Sequence, residues 1–417
     1  MFHRPATASY LVALVTLCPA AMAETNPWYV GVAERLTHES NLYRVDATTA
    51  LGRLSRSDTV SSTSLVAGLD QPLGRQRLFG NATLSANRYN NNDYLNDNSY
   101  ALTAGLDWSS VERLSGNLSV AASRNQRSFN VDSGPGVSET RKNNESVAQV
   151  DTTFRVGEVT RLTMEATLGH RRVRYSAPEY LGSQYQQNRG SLGLRFRPGI
   201  ATFGAALSLA DSRYETSPVQ AATGQAAEQV RRSSLDLTVN WPASGASNVY
   251  VRLSPTRATY SEFTQRDFSG LTGALRWNWV TTGKLSLDTR LGHDISQDSN
   301  FETFGGATIV GTGNTGRTTT ELRITVGYDM TAKTALTAAL GTTHRKLEQT
   351  ANVASLSVVT GAGSDDTNTL AIGLRWAPQR SLQLGCNVAR EQRSATGRLS
   401  QDYRANTVNC HGQFTLQ

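Results

Sequence analysis

Acid–base chemistry needs a proton acceptor held beside a second polar group. This chain sets histidine next to a carboxylate twice, at His38-Glu39 and His293-Asp294. Such couples deprotonate nucleophiles in hydrolases when a third group orients the imidazole. The sequence supplies no such context: it has no nucleophile elbow, no H-E-x-x-H, no phosphate-binding glycine loop and no Cys/His spacing suited to a metal. Both couples lie at the ends of alternating apolar segments, where solvated polar residues are ordinary. No catalytic residue, cofactor or metal ligand is assigned, and the chain is not expected to be an enzyme.

A second chemistry is electrostatic. Asp107, Asp151, Arg195, Asp236, Arg276, Arg323 and Arg375 each fall in a segment whose apolar residues come at every second position. On a β-strand that spacing separates two faces, one apolar and one carrying these charges. The acids come early and most of the arginines late, so a closed sheet would have an acidic side and a basic side. Such a wall orients a hydrated solute while binding it only weakly at each step. Mutual neutralisation of the same charges is the competing role.

The elements that must position them are repeated hairpins. "LAIGLRWAPQRSLQLGCNVAREQRS", from Leu370 to Ser394, is a strand, a tight break and a second strand. Seven further copies start at Leu65, Leu102, Gln149, Leu192, Leu235, Leu271 and Leu322. Polar segments such as "YNNNDYLNDNS", "NVDSGPGVSETRKNNES" and "VTGAGSDDTNT" separate them and read as long loops. Short turns on one side and long loops on the other characterise an outer-membrane barrel. With one strand before the first hairpin and one after the last, the total is about eighteen, which lets the end strands pair and leaves no edge. The expected fold is a transmembrane antiparallel β-barrel with both termini in the periplasm. A soluble propeller or solenoid is the competing repeat architecture.

Two features favour the membrane. The descending strands end, in phase with their apolar positions, on Trp108, Phe154, Phe196, Trp241, Trp277 with Trp279, Tyr328 and Trp376. Rings at one height form an aromatic girdle at the lipid–water boundary. The rising strands carry Arg88, Arg124, Arg172, Arg174, Arg213, Arg257 and Arg390 just past their apolar band, along with His293, His344 and Lys346. These face the height of lipopolysaccharide, whose phosphates suit a guanidinium fork. Tyr89, Tyr94, Tyr100, Tyr175, Tyr180, Tyr185 and Tyr260 gather in or beside the loops, where rings stack on sugars or simply sit at the interface.

Residues 1–23 read as a signal peptide, with Arg4, an apolar stretch and an Ala21-Met22-Ala23 cleavage site, leaving residues 24–417 as the barrel. No later stretch reaches the roughly 18 apolar residues of a membrane helix. The formal charge is +7, mostly arginine and without a basic block, so nucleic acid is not an expected partner. Two of the three cysteines, Cys386 and Cys410, lie beyond the signal peptide. Their midpoint falls in the "TGRLS" turn, so a symmetric hairpin sets the thiols opposite one another and an oxidising compartment permits a bridge. A one-residue bulge would instead leave two free lipid-facing thiols.

"WYVGVAERLTHESNLYRV" (Trp28–Val45) and "YRANTVNCHGQFTLQ" (Tyr403–Gln417) resemble the first and last strands of the β-barrel porins predicted in bacterial exopolysaccharide-biosynthesis loci, often alongside exosortase systems. The resemblance implies an outer-membrane location and a supporting part in polysaccharide export, with the exopolysaccharide and its export machinery as partners. It carries no catalytic residues. The function expected is a porin-like conduit or accessory in exopolysaccharide secretion. A general diffusion porin, and an adhesin or structural barrel with a blocked lumen, fit the same strands.

Overall fold

A computed structural model describes residues 26–110, 113–129, 140–158, 160–216, 226–262, 264, 267–281, 283–301, 311–353, 357–397 and 399–416. The expected signal peptide lies outside them. The strands are β1 (Trp28–Glu39), β2 (Asp58–Leu73), β3 (Gln76–Tyr89), β4 (Asp97–Ser109), β5 (Leu114–Gln126), β6 (Asn144–Val156), β7 (Leu162–Tyr175), β8 (Tyr185–Phe196) and β9 (Thr202–Tyr214). They continue as β10 (Gln229–Ser244), β11 (Ser247–Tyr260), β12 (Phe268–Val280), β13 (Leu285–Phe301), β14 (Gly311–Thr331), β15 (Thr334–Val353), β16 (Ser357–Gln379), β17 (Leu382–Gly397) and β18 (Tyr403–Leu416).

Every strand pairs antiparallel with its sequence neighbours, and β1 pairs with β18 from Val30↔Leu416 to Glu39↔Thr407. The 18-stranded sheet is thereby closed and presents no free edge strand. At one end the connections shrink to two residues: 74–75, 245–246, 332–333 and 380–381. Gly74 makes the first of these turns at φ +64°, a left-handed conformation that costs glycine nothing sterically. The opposite end carries the long connections, among them residues 40–57, here called L1.

One expectation changes. "VTGAGSDDTNT" (Val359–Thr369) is not a loop but the upper half of β16, paired along its length with β15. Turn-forming composition marks residues that need not be buried in lipid; it does not forbid pairing where a neighbouring strand offers a complete ladder. Asp365, for instance, stands opposite Arg345 and bonds to it.

No helix among the described residues is long and apolar enough to cross a membrane. The side-chain faces fit a crossing by strands. Val30, Leu84, Leu102, Leu168, Leu207, Leu253, Leu340 and Leu370 all project outward with about half their surface exposed. In water such a continuous band would be an aggregation surface, whereas in a bilayer lipid covers it.

Candidate functional site: the barrel lumen

The period of two sends the charges inward. Asp107, Asp151, Arg195, Asp236, Arg276, Arg323 and Arg375 lie on the parity opposite the exposed apolar residues of their own strands. The same alternation separates both histidine–acid couples. His38 faces outward, its Nδ1 3.0 Å from Thr59 Oγ1, while Glu39 is buried on the lumen side beside Arg44. His293 likewise meets Thr320 outside while Asp294 points in. Sequence neighbours on a strand cannot act on one substrate.

The lumen charges do not divide into an acidic and a basic side. Each early acid is neutralised by an arginine reached across the wall. Asp107 and Asp70 flank Arg77 at 3.6 and 2.7 Å. Asp151 pairs with Arg189, in space left by Gly169, whose missing Cβ would collide with both. Glu165 bridges Arg155 and Arg195 at 2.7 Å each. Asp236 accepts from Ser208 and Ser254 and lies 3.6 Å from Arg252. Arg77, Arg155, Arg189 and Arg252 are absent from the inward charges named above, yet they share the inward parity and could have been found by it.

Among the late arginines the balance is different. Arg276 is the cross-strand partner of Arg290, and Arg290 of Arg323, so three guanidinium-bearing residues form one rank over β12, β13 and β14. Arg290 has Asp288 at 2.6 Å. No carboxylate among the described residues pairs with Arg276, Arg323 or Arg375. Like charges directly opposite one another are unfavourable on a sheet unless a counter-charge screens them, and of the three only Arg290 has a carboxylate partner among the described residues.

Accessibility changes along the axis. At the short-turn end the lumen is wet: Arg77 and Asp70 are 52% and 58% exposed. Toward the long loops the inward side chains are packed. Arg345 and Asp365, bonded at 2.7 Å, are 5% and 0% exposed, and Arg317, Leu347, Arg393 and Tyr403 are buried near them. Ser254 and Thr272 are fully buried on β11 and β12. Arg232 of β10 reaches Asp294 of β13, and the 3-10 segment Pro178–Ser183 between β7 and β8 also approaches β13.

L1 adds to this packed end. Leu42, Tyr43 and Val45 form a small core with Leu95 and Phe129 of two neighbouring loops. Arg56 holds L1 shut by donating to the carbonyls of Val45, Asp46, Ala47 and Thr49. The fully buried Asp58 accepts from the backbone amides of Asn90, Asn91 and Asn92. Arg44, at φ +50°, turns its guanidinium to the lumen-side carboxylates Glu39 and Glu391. Three of the loop tyrosines pack on other rings or on arginine: Tyr175 and Tyr180 lie 5.5 Å apart under Arg127, and Tyr185 meets Tyr214 at 5.3 Å, whereas Tyr100 is exposed. The L1 core had no signal in the sequence, because its apolar residues have no period.

On the outside, Trp108 contacts Phe154 edge-on at 6.0 Å, and Trp277 stacks on Trp279 at 5.5 Å. Phe154, Phe196, Trp241, Trp279, Tyr328 and Trp376 are exposed at the short-turn end. Trp28 and Phe414 share that end and parity and extend the ring across β1 and β18. Arg88, Arg124, Arg172, Arg174, Arg213, Arg257 and Arg390 take the outward parity toward the loop end, with Arg213 held 3.5 Å from Asp211. Cys386 stands directly opposite Cys410, and the two are joined as a disulfide.

The closed sheet, its outward apolar band and its polar interior define a transmembrane antiparallel β-barrel of the outer-membrane type. No protein-family model matches the chain, and no curated protein does. Among solved structures it is similar to the outer membrane protein OpdK of Pseudomonas aeruginosa, at 12% identity over 93% of this chain and 99% of that one, with a TM-score of 0.45. It is similar also to the siderophore receptor PirA of Acinetobacter baumannii, at 8% identity over 94% and 81%, with a TM-score of 0.45.

Proposed function

We propose that the protein is a porin-like conduit of the outer membrane that favours anionic solutes and serves as an accessory in exopolysaccharide secretion. The observation that carries the conduit reading is the rank Arg276, Arg290 and Arg323 on the wall of the lumen. Barrels of 16–18 strands are wide enough for water and solute. A hydrated polyanion would slide along such a rank, exchanging one guanidinium contact for the next. The polysaccharide role is supported by the resemblance of the first and last strands to porins of exopolysaccharide loci. Deletion of the gene should lower secreted polysaccharide without lowering its cytoplasmic precursors, and normal secretion would overturn that role.

The packed loop end favours a second reading, a barrel whose lumen is closed at rest and whose loops bind. Single-channel recording of the purified protein separates the two. Stable conductance supports the conduit, and silence over the full voltage range supports the closed barrel.

A further inference from the structure

The outer wall of the barrel is not uniformly convex. On β14 to β17 a cavity of about 390 Å³ opens on the lipid side, lined by Leu322, Ile324, Leu340, Thr342, Asn368, Leu370, Arg390 and Gln392. Register explains its shape. Ile324, Leu340, Leu370 and Arg390 are successive cross-strand neighbours in one rank, and Leu322, Thr342, Asn368 and Gln392 form the rank beside it. Short side chains at Thr342 and Asn368 leave a hollow between longer ones. Its floor is apolar, and its edge toward the loop end is polar.

We propose that this groove is a binding site for lipid A, one acyl chain lying on Ile324, Leu340 and Leu370 with a glucosamine phosphate on Arg390. Charge complementarity identifies the head. Among the described residues no protein group engages the Arg390 guanidinium, although its rim position is exposed. A bare guanidinium beside hydrocarbon is costly, and a phosphate offers it a bidentate partner. The side chains of Thr342, Asn368 and Gln392 are equally without hydrogen-bond partners, and they supply donors and acceptors for sugar hydroxyls. The groove lies in the half of the band nearer the long loops, which is the outer leaflet in the orientation adopted above. A glycerophospholipid would satisfy Arg390 but offers that amide and hydroxyl row only a small headgroup, whereas the lipid A disaccharide spans it.

The test uses the full mature protein folded in detergent and native mass spectrometry with purified bis-phosphorylated lipid A as the probe. Arg390→Gln should weaken binding about tenfold, the worth of one hydrogen bond to a charged group. Leu370→Trp should fill the hollow and weaken binding comparably, while Arg75→Gln, in the two-residue turn at the opposite end of the barrel, should leave it unchanged. Unshifted heat-modifiable migration of each variant shows that it folds. Dephosphorylated lipid A should bind the parent as weakly as it binds Arg390→Gln. Equal binding of phosphatidylglycerol and lipid A, or equal losses in all three variants, would overturn the assignment.

Discussion

Arg232 donates to Asp294 at 2.8 Å although β11 and β12 lie between their strands. A contact between strands three apart in the ring is a chord through the interior, not a bond along the wall. It joins inward side chains in the half of the barrel nearer the long loops. Asp294→Ala should therefore raise single-channel conductance, and Arg232→Ala should do the same. Conductance equal to the parent in both variants would remove this pair as the constriction.

Neutralising Arg276, Arg323 and Arg375 to Gln should reduce anion preference. The reversal potential across a salt gradient should move toward zero, and adding Arg290→Gln should move it further. An unmoved reversal potential would take the rank out of the selectivity argument.

Replacing Trp108, Trp241 and Trp376 together by Ala removes three rings from the girdle at the short-turn end. Each ring anchors the barrel where its apolar body meets lipid and its N–H meets water. The triple variant should assemble poorly or lose its heat-resistant migration at a lower temperature. Melting identical to the parent would contradict the depth assigned to this ring.

The Cys386–Cys410 bridge closes a loop of sequence separation 24 at the last hairpin. In the chain-entropy model a loop of this size contributes about 3 kcal/mol. The double Cys→Ser variant should unfold at lower denaturant by that order. Thiol labelling of the denatured, unreduced parent should find no reactive group at either position.

L1 should loosen in alkali. Burial, and then the hydrogen bond to Tyr94, push the Tyr43 phenol above its ordinary range, and burial pushes Tyr94 up as well. Both raised values favour the neutral, packed form. Their stabilisation is complete below the unfolded value near 10 and is lost as pH rises beyond it. Limited proteolysis within L1 should accelerate above about pH 10, and Tyr43→Phe should blunt the Tyr43 share of that dependence. Cleavage with no pH dependence would show that L1 does not rely on these phenols.

The sequence by itself determined the strands, their number and their faces. A bilayer outside and water inside impose a strict period of two, and Leu102, Trp108 and Arg276 all keep to it. It also put Cys386 and Cys410 on the outward parity about a common midpoint, with two free thiols as the alternative; the unbulged β17–β18 ladder decided that they oppose one another. Tertiary structure decided what faces what across the interior. The pairing of Asp151 with Arg189, or of Arg232 with Asp294, joins strands that are not neighbours, and no local period records the curvature that brings them together. The same holds for L1, where Tyr43, Leu95 and Phe129 meet from three loops. Polar loop sequence marks where the chain leaves the membrane, but only the closed ring of strands puts three loop ends within reach of one another.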